Sequence, residues 1–150
     1  METKTDFNSS ITAKISASEA TDRICNLPDW WGITFSGSAK KRKDNFVVKM
    51  GGNSFFNFTV RELIPGKRIV WFITDCYMPW YSNHKEWIHT NIIFNLTENN
   101  GVTTLNFMHE GLTQELECYQ ECAPGWTHWI ETSLYSYLTT GKGVFRQPTK

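Results

Sequence analysis

His109 and Glu110 are the adjacent pair whose residue types suit acid–base chemistry, because an imidazole on an inner face can act as a general base or orient a carbonyl oxygen. Their spacing argues against a joint role. Neighbouring strand residues point to opposite faces, so Glu110 cannot readily serve His109 in one cavity, and a hydrogen-bonded structural histidine is the plainer reading. His89 falls on the wetter face of its strand, and His84 and His128 have no partners that spacing identifies. A metal site needs at least three converging ligands, and neither HxH nor HExxH occurs, so no metal and no cofactor are expected. Cys118 and Cys122 stand four apart, on one face of a regular helix, either as two small buried hydrophobes or as a redox or covalent-capture pair. With Cys25 and Cys76 they form no CxxC spacing, and reduced thiols are expected throughout. No Ser-His-Asp set, phosphate loop or dinucleotide fingerprint can be assembled.

The 150 residues carry 15 Lys+Arg against 15 Asp+Glu, a neutral balance that removes the main electrostatic argument for nucleic acid or an anionic membrane as partner. Length and composition fit one globular domain over 1–150. No apolar run approaches the roughly 18 residues of a membrane span, and the first residues lack an apolar leader pattern, so a cytoplasmic protein is expected. Aromatic residues make up 15% of the chain, with 7 Trp among them, and such stiff, weakly polar surface suits a pocket as well as a core.

The elements that must position these groups follow from periodicity. Apolar residues at 7, 11, 13 and 15 mark a half-buried strand. Ser16-Ala-Ser-Glu19 fits a capping box opening a helix with Ala20, Ile24 and Leu27 on one stripe, stopped by Pro28. Residues 33–111 read as strands broken at Lys43-Asp44-Asn45, Gly51-Gly52-Asn53, Pro65-Gly66-Lys67 and Glu98 to Gly101. Phe56, Phe58 and Val60 alternate with Asn57, Thr59 and Arg61; Ile88, Thr90, Ile92, Phe94 and Leu96 alternate with Trp87, His89, Asn91, Ile93 and Asn95, a mostly wet face, and Leu105 and Phe107 share a parity with His109. One face is apolar, as in an antiparallel sheet covered on one side. The basic run Lys40 to Lys43 fits a solvated hairpin tip. Residues 74–86 break the rhythm, and a loop of that length carrying Tyr77, Met78, Trp80 and Tyr81 reads as ordered and functional. A short helix over about 113–122 precedes Pro124, where a long amphipathic helix begins with Trp126, Trp129, Ile130, Ser133, Leu134, Tyr137 and Leu138 on one face and Gly141 as its left-handed cap. The economical arrangement is a two-layer α+β domain with the long helix across the apolar sheet face.

Several strings, in this order, resemble the START-related helix-grip (SRPBCC) superfamily, and within it the branch similar to the activator of heat-shock protein 90 ATPase. They are Ile15-Ser-Ala-Ser-Glu19, Trp30-Trp31-Gly32, Glu62-Leu-Ile-Pro-Gly-Lys-Arg-Ile-Val-Trp71, Asn100-Gly-Val-Thr103 leading to His109-Glu110-Gly111, and Gly125-Trp126 ahead of Leu138-Thr-Thr-Gly141-Lys142. The resemblance implies a curved antiparallel sheet of six to seven strands wrapped around a long C-terminal helix, with short helices after the first strand. It also implies a hydrophobic cavity between sheet and helix. In that frame the candidate wall comprises Trp30 and Trp31 beyond the first helix; Phe56, Phe58, Trp71, Ile92 and Phe107 on the sheet; and Trp126, Trp129 and Ile130 on the helix, each of which plain core packing would place equally well. His109 and Tyr137 are the polar candidates for orienting a ligand. Where relatives often carry a glycine-rich, charged segment, this chain has Lys40-Lys-Arg-Lys43, so ligand polarity does not transfer from that region. The resemblance implies binding of a small apolar or aromatic molecule. The alternatives it carries are a cyclase- or hydrolase-like enzyme using His109, and a co-chaperone whose partner is the chaperone.

Overall fold

A computed structural model describes residues 5–145. Strand β1 (Phe7–Ala13) leads into helix α1 (Ala17–Ile24) and a single 3-10 turn (Leu27–Asp29). Six strands follow: β2 (Thr34–Gly37), β3 (Asn45–Lys49), β4 (Phe55–Ile64), β5 (Arg68–Tyr77), β6 (Asn91–Asn99) and β7 (Val102–Glu110). They form one antiparallel sheet in the order β1-β7-β6-β5-β4-β3-β2, so the last strand of the meander pairs with the first strand of the chain. A continuous helix closes the fold: α2 (Tyr119–Thr127), a π-helical segment (His128–Leu134) and α3 (Tyr135–Thr140). This is the α+β helix-grip architecture, a curved sheet around the C-terminal helix.

Ser16 caps α1 by accepting the Glu19 amide at 3.1 Å, but the Glu19 carboxylate turns to Arg23 at 3.0 Å instead of returning to Ser16, so half of the expected capping box forms. Helix and sheet are cross-tied by polar bonds. Thr21 Oγ1 donates to the Ala17 carbonyl and accepts the Gly66 amide, both at 2.8 Å, which fixes the Pro65-Gly66 turn on α1.

Three expectations need correction. Strand β5 continues through Tyr77, so the long loop spans 78–90 rather than 74–86, and β6 begins at Asn91. The cause is a bulge: the register shifts between Asn57/Phe58, and Ile73 and Cys76, three apart, are both fully buried. Alternation therefore breaks in the sequence where the strand goes on. The two C-terminal helices are one, beginning at Tyr119, with Pro124 inside it and 113–118 in turns. Pro124 withholds the N–H that the Gln120 carbonyl would receive, which the continuous packing of the helix tolerates. Tyr135 N–H bonds to the Ile130 carbonyl, the five-residue step of a wide turn, yet Trp126, Ile130, Ser133, Leu134, Tyr137 and Leu138 stay buried. Gly141 ends the helix at φ +87, as its glycine allows.

Third, Cys118 and Cys122 form a disulfide, with Cα atoms 5.6 Å apart, instead of remaining thiols. Helical i,i+4 spacing lies within the separation that a disulfide spans. Cys25 and Cys76 are free and buried, and burial pushes the Cys25 thiol up to about 11.

Candidate functional site

The interior between sheet and helix is filled by the protein's own rings. Phe46 stacks on Phe58 at 4.7 Å, Trp71 stands edge-on to Phe94 at 4.9 Å, and Phe107 packs on Trp126 at 4.7 Å. Trp71 Nε1 is buried without a hydrogen-bond partner among the described residues, amid the aromatic faces that can receive it only weakly. Trp30 lies beneath them, its Nε1 donating to the Ile24 carbonyl at 3.0 Å.

Space remains at one end. A cavity of about 180 Å³ opens where the loop 78–90 folds against the start of α2. Its floor is Trp31, Phe56, Trp87 and Trp126; Met50, Met78 and Trp129 line its sides; Trp80, Tyr81, Glu121, Cys122 and Gly125 form its rim. Trp80 is 51% exposed and stands at the mouth. Gly32 makes room for one wall: a Cβ there would lie 2.8 Å from the Trp129 ring.

The rim is held by an exchange of carboxylates. Glu117 accepts the Ser82 and Asn83 amides at 3.0 and 3.1 Å, which holds its carboxyl below the usual carboxylate range. Glu86 returns the exchange by accepting the Glu117 and Cys118 amides at 2.6 and 3.1 Å, satisfying N–H groups at the start of α2. Tyr81 donates its hydroxyl to Glu121, and Trp87 Nε1 donates to Cys118 Sγ at 3.4 Å. Burial, followed by the Glu121 hydrogen bond, raises the Tyr81 phenol above its ordinary value.

His109 is fully buried behind this wall and does not reach the cavity. Trp126 Nε1 can only donate, so at 3.1 Å it makes His109 Nδ1 an acceptor and places the proton on Nε2. Nε2–H then meets Thr90 Oγ1 at 2.9 Å, and the Thr90 hydroxyl donates to the Trp87 carbonyl at 2.7 Å. Burial lowers the His109 pKa to about 3. Neither hydrogen-bond partner is an acid or base, so this neutral imidazole is a strut between the sheet, the loop and the helix.

Of the other sequence candidates, Trp31, Phe56, Trp126 and Trp129 meet at the cavity. Trp30, Phe58, Trp71, Ile92, Phe107 and Ile130 are core residues away from it. Tyr137 is at the far end of the helix, donating to Asp29 Oδ2 at 3.0 Å beneath Arg23. Sequence reasoning did not assign Met50, Met78, Trp80, Tyr81, Trp87, Glu121 or Gly125 to a site, although the large side chains of the long loop pointed to Met78, Trp80 and Tyr81, and it gave Cys122 only as half of a cysteine pair. Among the described residues no group of three or more His, Cys, Asp or Glu could hold a metal ion, and no helix is long and apolar enough to cross a membrane.

A sequence model of the family described as activator of Hsp90 ATPase homolog 1-like protein matches residues 26–139. The chain belongs to this family. As a member it carries the SRPBCC helix-grip fold, and solved structures agree. The Aha1 dimer from Colwellia psychrerythraea aligns at 24% identity and TM-score 0.73, covering 93% of this chain and 99% of that one. Protein SSP2350 from Staphylococcus saprophyticus aligns at 11% identity and TM-score 0.67, covering 93% and 96%. CalU16 from Micromonospora echinospora aligns at 13% identity and TM-score 0.64, covering 91% and 75%. At these identities the likeness is one of fold. No curated protein matches the sequence.

Proposed function

We propose that this member of the family binds a small apolar or aromatic molecule in the cavity under Trp80. The observation that supports the reading is an apolar hollow of about 180 Å³, walled by rings from the Trp31 turn, β4, the loop and α2, beside an otherwise filled core. An apolar cavity of about 150 Å³ accommodates benzene, so the space suits about one ring. Burying ~200 Å² of ligand carbon at ~25 cal/mol per Å² supplies about 5 kcal/mol, a dissociation constant of about 0.2 mM before any polar contact is added.

Ligand-observed NMR of toluene at about 1 mM mixed with the protein tests the reading, with Gly125→Leu as control. Gly125 lines the cavity with nothing within 4 Å of a Cβ placed there, so a leucine at this position projects into the space. Wild-type protein is expected to broaden and attenuate the toluene signals, and the variant to leave them as they are in buffer. Identical spectra for the two proteins count against the reading.

A further inference from the structure

We propose that the cavity selects organic cations, holding an alkylated ammonium group among its tryptophan rings with Glu121 as the counter-charge. The inference deepens the ligand-binding reading above and rests on it. Six of the wall residues are Trp31, Phe56, Trp80, Tyr81, Trp87 and Trp126, whose π systems attract a cation within about 6 Å of a ring centre. Among the described residues lining the cavity, none is Lys, Arg or His, and Glu121 is the one charged group. Glu121 pairs with no cation among the described residues. Its hydrogen-bond partner is the Tyr81 hydroxyl, which engages one of the roughly four acceptor positions of a carboxylate.

The neighbouring carboxylates are differently employed. Glu86 and Glu117 spend both of their oxygens on backbone amides of the rim. Their charges nevertheless lie close enough to act on the Tyr81 phenol, as the charge of Glu121 does. The mouth is therefore negative and the interior is π-rich. An anion is repelled there, and a neutral ring gains burial but no charge attraction. A primary ammonium gives up strong hydration on leaving water, whereas a quaternary one has no N–H to leave unsatisfied and presents methyl groups to the rings.

Phenyltrimethylammonium and its neutral carbon isostere tert-butylbenzene differ by one positive charge at nearly constant shape. Titrating each into wild-type protein, followed by tryptophan fluorescence and calorimetry, is expected to show the cation bound at least tenfold more tightly. In Glu121→Gln the ratio of the two affinities should fall to within about threefold, and Gly125→Leu should bind neither. Equal or tighter binding of tert-butylbenzene by wild type overturns the cation preference and leaves the apolar-ligand reading standing. Unchanged cation binding by Gly125→Leu places the cation elsewhere and also overturns it. If neither compound binds and toluene does not bind either, the ligand-binding reading itself fails.

Discussion

Acidification from pH 7 to pH 5 should destabilise this protein through His109. His109 is neutral in the fold, with its pKa lowered to about 3, whereas in the unfolded chain it titrates near 6.5. Between those values the unfolded state binds a proton that the native state refuses, so stability rises with pH across the window and is lost as pH falls through it. From pH 7 to pH 5 the cost works out at about 2 kcal/mol, since each unit is worth about 1.4 kcal/mol once the unfolded histidine is mostly protonated. Carboxylates held low in the fold, such as Glu117, act in the same direction but in a lower window: the stability they contribute is present above the ordinary carboxylate pKa and is lost below it. They therefore weigh little between pH 5 and 7. Urea denaturation at pH 5, 6 and 7 measures the slope directly. His109→Gln removes the titrating group, and although it costs baseline stability by disturbing the bonds to Trp126 and Thr90, it should flatten that slope. Equal pH slopes for wild type and His109→Gln would refute the assignment of a buried neutral imidazole.

Other perturbations have equally definite outcomes. Reducing the Cys118–Cys122 disulfide frees a five-residue loop, which on chain-entropy grounds costs about 2 kcal/mol, or about 4–8 °C in Tm; calorimetry with and without dithiothreitol reads it, and alkylation in urea without reductant should label Cys25 and Cys76 alone. Gly32→Ala drives a methyl group into Trp129, and its expected signature is about 1 kcal/mol of lost stability together with weakened ring binding at the wall that Trp129 forms. Gly125→Ala relieves a glycine in mid-helix with no neighbour in the way, so a gain of about 0.5–1 kcal/mol is expected in urea melts.

Much of the fold can be read from alternation. Phe56, Phe58 and Val60, then Ile92, Phe94 and Leu96, face inward as their period requires, and the helix stripe from Trp126 to Leu138 survives even a π-helical segment. The cavity is harder to read because it depends on relations across the chain. Trp30 and Trp31 are adjacent and equally buried, but Trp31 meets the cavity while Trp30 turns its indole N–H to α1. Nothing in a tight turn fixes which of two neighbours points which way. His109 has the expected parity, yet its partners come from the loop at Thr90 and the helix at Trp126, and these decide that it is a strut. Trp80 and Tyr81 carried a signal, since four large side chains in one long loop are seldom there for solvent alone. Glu121 carried none, because its position beside Tyr81 exists only once the loop has folded onto α2.

The central claim is that the hollow beneath Trp80 is a binding site, and calorimetric titration of toluene into wild-type protein and Gly125→Leu tests it most directly. The expected result is one saturable site in wild type with a dissociation constant of about 0.2 mM, a negative heat-capacity change from apolar burial, and no binding heat in the variant. Absence of saturable binding in wild type, or indistinguishable titrations of the two proteins, would contradict it.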